Sequence, residues 1–187
     1  MTLQINIGLL KQQHMTIRAT TDDLLALTDL QFDQGFPGVT NARLKLAKVI
    51  ADHLATETVE IHEPLQARGK ADDIPAYAEI VSRIRELRVM FSCHIAKWSL
   101  AAIRKDWAGY GRSLREIAVE LADILDREER DLFPVAQTIL TKVEPARRSN
   151  TLLFDPSLLS QSSSRRRLVS AVERYSENPW KPQPSLG

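Results

Sequence analysis

Four segments of this chain carry apolar residues at alternating steps of three and four, the repeat that gives a helix one buried face. On three of them a metal-ligand residue takes a core position: His14, the pair His53 and Glu57, and Glu128. Imidazoles and carboxylates are costly to bury unless something pairs with them, and a transition metal bound between helices is one reason to place several in one core. The pattern therefore constrains fold and chemistry together.

The first stripe, from about Asn6, runs Leu10, His14, Ile17, Thr21, Leu24 and Leu27, and ends before Gln31. Gly35, Pro37 and Gly38 predict a connection, with Phe32 and Phe36 placed to cap the end of a bundle. Thr40 or Asn41 is the expected N-cap of a second helix carrying Leu46, Ile50, His53, Glu57, Ile61 and Pro64 or Leu65, with Gly69 as its stop. Asp72 or Asp73 caps a third, with the stripe Ile80, Ile84, Leu87, Phe91, His94 and Trp98. After a turn at Ser99, Asp106 caps a fourth, running Tyr110, Leu114, Ile117, Leu121, Ile124 and Glu128 and ending near Phe133 and Pro134. No strand signal competes. Connections this short predict an all-α fold, an antiparallel up-down-up-down four-helix bundle over residues 1–140.

Residues 141–187 read differently. Pro145, Pro156, Pro179, Pro182 and Pro184 interrupt them, and Ser162, Ser163 and Ser164 precede Arg165, Arg166 and Arg167. Leu168, Val169, Val172 and Tyr175 predict one short helix in a C-terminal tail, docked on the bundle or on a protein partner, with a disordered end.

At 187 residues and 43% hydrophobic, the chain has material for one core plus that tail. Lysine and arginine (25) nearly cancel aspartate and glutamate (24), so no overall field draws nucleic acid or anionic lipid. The lone Cys93 excludes an internal disulfide framework and a thiolate cluster. No stretch has the length of a membrane span and the start lacks a signal-peptide pattern, so the expected location is cytoplasmic. No nucleophile with a positioned base and no glycine-rich phosphate loop is visible, so the chain is read as a non-enzyme.

His53 and Glu57 are one turn apart and point the same way. His14 lies about 16 residues before the end of its helix and His53 about 14 after the start of the next, a match in height to within roughly 3 Å for an antiparallel pair. Glu128 enters at a compatible level. Two histidines and two carboxylates suit iron, manganese or zinc.

The segments Leu10-Lys-Gln-Gln-His14, His53-Leu-Ala-Thr-Glu57 and Glu128-Glu129-Arg-Asp-Leu132-Phe133-Pro134 resemble the hemerythrin-like (HHE cation-binding) domain family over roughly residues 7 to 136. The resemblance implies a four-helix bundle with two irons bridged by a carboxylate from the second and one from the fourth helix. It puts His14, His53, Glu57 and Glu128 at ligand positions, Glu57 and Glu128 as the bridges. The chain departs from the family at Ile124, where a histidine is usual, and at Ile80 and Ile84, which hold the matching level of the third helix. His94 falls roughly 25 Å off level at 1.5 Å per residue. One iron is therefore expected, with the second half-site filled by isoleucine unless Glu86 or Glu120 substitutes.

Plainer readings stand beside these. His14, His53 and Glu57 can pair with one another without metal, and Glu128 sits in a charged run, Asp126 to Asp131, most of which is a solvated face. His94 reads as a partly buried histidine at a bundle end, His62 as a packing or surface residue, Cys93 as a small buried hydrophobe and Arg165–Arg167 as a solvated patch. The expected function is an iron-binding protein that binds or senses dioxygen, nitric oxide or iron. The alternative is a metal-free bundle acting as a regulatory or protein-interaction module. A ferritin-like oxidase or iron store ranks last, because no Glu-x-x-His pair occurs.

Overall fold

The Asn6 side chain accepts the Leu9 N–H and so starts helix α1 (Ile7–Asp29), and the computed structural model, which describes residues 5–142, is helical almost throughout. There follow α2 (Phe32–Glu57), α3 (Glu63–Ala67), α4 (Tyr77–Lys97), α5 (Leu100–Lys105), α6 (Trp107–Arg127) and α7 (Phe133–Thr141). No strand occurs among the described residues, and none of their helices is long and apolar enough to cross a membrane. The all-α expectation holds. The expected tail helix at Leu168 to Tyr175 lies outside the described residues.

Helix α1 packs against α2 and α6, and α6 also packs against α4. Each pair is antiparallel: Asp23 meets Lys45 and His14 meets His53 between α1 and α2. Arg18 meets Asp126 and Asp29 meets Arg115 between α1 and α6, and Glu79 meets Arg127 while His94 meets Ser113 between α4 and α6. Leu10, Ile17, Leu24, Ile61, Leu65, Ile103, Tyr110, Leu132 and Phe133 are each no more than 1% exposed, a core in which each large apolar side chain contributes about 1.5–3 kcal/mol of burial.

Three boundaries differ from expectation. Helix α2 begins at Phe32 rather than after Thr40, with Pro37 inside it. Its extra turns meet the end of α1, with Gly35 and Gly38 against Leu27, and Phe32 there stacks on Phe36 at 4.8 Å and packs edge-on to Trp107 at 5.7 Å. The height match of His14 and His53 survives because Leu27 faces Gly38 in the register that joins Asp23 to Lys45. Asp72 and Asp73 form a 3₁₀ turn, and Ala76 is the N-cap of α4.

The fourth stripe does not end at Pro134. It passes through a π turn, Glu128–Leu132, and continues as α7, just as α2 passes through a π turn, Thr58–His62, into α3. A proline ring clashes with the carbonyl four residues before it and donates no hydrogen bond. In both places the residue before proline makes an i→i−5 bond instead, Glu63 N–H to Thr58 O and Phe133 N–H to Glu128 O. The widened turn absorbs the proline, and the buried face extends through Ala136 and Leu140.

Candidate metal centre

A buried glutamate stands at the start of each π turn: Glu57 is the residue before the first and Glu128 the first residue of the second. With His14 on α1 and His53 on α2, these side chains are at most 3% exposed. One ligand atom each from His14, His53 and Glu128 falls within 4.8 Å of the others. His14 Nε2 is 3.2 Å from His53 Nε2 and 3.1 Å from Glu128 Oε2, and His53 Nε2 is 3.7 Å from that oxygen. Glu57 joins the edge of the group, its Oε2 3.9 Å from His53 Nε2. Two ligand atoms about 2.1 Å from one ion stand roughly 3.0–3.4 Å apart at ordinary coordination angles, so the three-atom core has the dimensions of a coordination shell.

The ring nitrogens that face away from the pocket are already committed. His14 Nδ1–H donates to Glu129 Oε1 at 2.8 Å. His53 Nδ1–H donates to Gln13 Oε1 at 3.4 Å, and the amide of Gln13 is oriented by donating its own N–H to Thr56 Oγ1 at 2.9 Å. Thr56 in turn donates to Asp52 O at 2.8 Å. This network assigns the tautomers and turns an Nε2 lone pair of each ring toward the other ring and toward the carboxylates.

Lone pairs and carboxylates repel unless a cation or a proton lies among them. Glu57 Oε1, Glu57 Oε2 and Glu128 Oε2 are buried and have no hydrogen-bond partner among the described residues, despite the nearness of Glu128 Oε2 to His14. Without an ion, a second proton on His14 covers part of the need. Burial pulls the His14 pKa down, but Glu128 and Glu129 more than offset this and hold it above 6.5. Burial pushes Glu128 up, while His14 and His53 hold it below the usual carboxylate value. Neither effect supplies a donor to Glu57. The donor set of two imidazoles and buried carboxylates, with three oxygens left over, fits a divalent transition metal.

The other expected candidates lie elsewhere. His94 donates from, or accepts at, Nδ1 with Ser113 Oγ at 3.1 Å, and its ring is 5.6 Å from that of Tyr110. Ser113 stands on α6 about 15 residues before Glu128, roughly 22 Å along the axis. Ile80, Ile84 and Ile124 are buried. Neither acidic substitute turns inward: Glu120 pairs with Arg83 at 2.7 Å, and the exposed Glu86 accepts from Ser82. Cys93 is exposed, not buried as expected, because it lies off the apolar stripe of α4.

Gln13 and Glu129 were not singled out by the sequence, although each adjoins a ligand or its stripe. His62 is half-buried, 3.5 Å from Glu57 Oε1 through Nε2 and 3.0 Å from Tyr77 Oη through Nδ1. Comparison of the chain with models of known families, with curated proteins and with solved structures returned no match.

Proposed function

We propose that the antiparallel helix pairs form an up-down-up-down four-helix bundle of hemerythrin-like kind, and that the chain is a non-enzymatic metal-binding protein holding one non-haem iron. His14, His53 and Glu128 supply the core ligands and Glu57 the fourth. An iron there would offer exchangeable coordination positions for dioxygen, nitric oxide or water, which suits binding or sensing. The observation that carries this reading is the carboxylate of Glu57, 1% exposed with both oxygens unpartnered beside imidazole lone pairs.

Metal analysis of the full chain purified without chelator tests it. About one equivalent of iron supports the reading, and the double change His53→Ala with Glu57→Ala should remove it. A folded protein that takes up no metal overturns it. That outcome favours a second reading, a metal-free regulatory or protein-interaction module, which draws on the raised His14 and lowered Glu128 as a self-sufficient ion pair and on the buried Ile80, Ile84 and Ile124.

A further inference from the structure

Glu57 stands between two imidazoles and is hydrogen-bonded to neither. Its Oε2 lies 3.9 Å from His53 Nε2 on one side, and its Oε1 lies 3.5 Å from His62 Nε2 on the other. In an α-helix, a residue five positions on would sit about 140° around the axis, away from Glu57. The π turn Thr58–His62, paired i→i+5, closes that angle and brings His62 over the carboxylate.

The Tyr77 phenol oxygen, 3.0 Å from His62 Nδ1, can accept the Nδ1–H. Nε2 then offers a lone pair to an anionic oxygen, at a separation close to the roughly 3.0–3.4 Å edge of a coordination shell. The second π turn provides the contrast. Five residues after Glu128 stands Phe133, fully buried, its ring 5.1 Å from that of His14. Carbon closes the pocket there, whereas nitrogen stands at the matching place after Glu57. The His62 side chain is 17% exposed, so this flank of Glu57 reaches solvent.

We propose that Glu57 Oε1 and His62 Nε2 hold a second divalent cation, solvent-facing and weaker than the first, which shares the Glu57 carboxylate. The proposal rests on the first site being a metal centre. Two protein ligands leave the remaining positions to water, so this ion exchanges readily. The position also gives a cation a way in to a pocket whose other ligands are at most 3% exposed.

Calorimetric titration of the metal-free full chain with Co²⁺ tests it. The expected result is a tight step followed by a weaker one. His62→Phe, which installs the ring found at position 133, should keep the tight step and weaken the second at least about tenfold. His62→Gln should do the same, and serves if circular dichroism shows the phenylalanine variant unfolded. A single tight step in the wild type, or two unchanged steps in both variants, overturns the second position and leaves the first standing. A folded wild type with no tight step overturns the first site and this one with it.

Discussion

Glu129 Oε1 accepts the Nδ1–H of His14 at 2.8 Å, so a carboxylate that is 33% exposed sets the tautomer of a fully buried ring. It also helps hold a second proton on His14 when no metal is bound, and a metal must displace that proton. Metal affinity should therefore fall by about tenfold per pH unit as pH drops below the raised His14 value. Glu129→Gln should weaken binding by about tenfold and move the onset of that decline to lower pH. Chelator competition across a pH series reads both effects. Identical curves for the two proteins would remove Glu129 from the site.

Glu57 is a liability to the metal-free fold, since its carboxylate is buried without a donor. Glu57→Leu should abolish metal binding and raise the urea stability of the metal-free protein by about 1–3 kcal/mol. Metal binding by the wild type should reverse that order. A less stable metal-free variant would mean that the carboxylate finds a partner in solution.

Much of this is legible in the sequence. The stripes fix the faces of α1, α4 and α6, and the apolar period isolates His14, His53, Glu57 and Glu128, which the structure brings together. The N-terminus of α2 lies earlier than the sequence predicts because Gly35, Pro37 and Gly38 are local helix breakers. Aromatic packing of Phe32 and Phe36 on Trp107 overrides that propensity. The π turns leave no sequence signal for a different reason. Pro134 reads as a stop, and Pro64 reads as part of one regular helix that runs to Gly69, yet the apolar face passes each proline, to Leu65 and to Ala136 and Leu140, and only a widened turn reconciles a proline with the continuing face. The π turn also conceals His62, which lies off the face of Glu57 in a regular helix. Gln13 and Glu129 carry no periodic signal, since residues supporting a ligand lie beside the stripe.

Gly35 is the point where the N-terminal turns of α2 meet the end of α1. A Cβ there would stand 2.1 Å from the Leu27 carbonyl oxygen and 2.8 Å from Trp107 Cζ2. The first of these is backbone and cannot swing away, so Gly35→Ala must displace the helix end. A loss of about 1–3 kcal/mol is expected in chemical denaturation. Metal stoichiometry should not change, because the ligands sit well down the helices from this end. A stable alanine variant would show that the end of α2 moves freely.

His94 gives the fold a pH dependence of its own. Burial, then the charges of Arg43 and Lys97, push its pKa down from 6.5 to about 4. Above pH 6.5 the ring is neutral in both folded and unfolded chains and contributes no slope. Between 6.5 and about 4 the unfolded chain binds a proton that the folded chain refuses, so acidification should cost stability across that window and no further below it. His14 works in the opposite sense, because its raised value makes its contribution complete below 6.5 and lost as pH climbs past the folded value. The two residues lie far enough apart to act independently. Subtracting the urea stability of His94→Asn from that of the wild type, both metal-free, should therefore cancel the His14 contribution. The difference should shrink or change sign as pH falls from 6.5 toward 4, and at neutral pH the variant should lose about 1 kcal/mol with the Ser113 hydrogen bond. A difference that stays constant from pH 7 to 4 would show that His94 takes up its proton in the folded chain as readily as in the unfolded one.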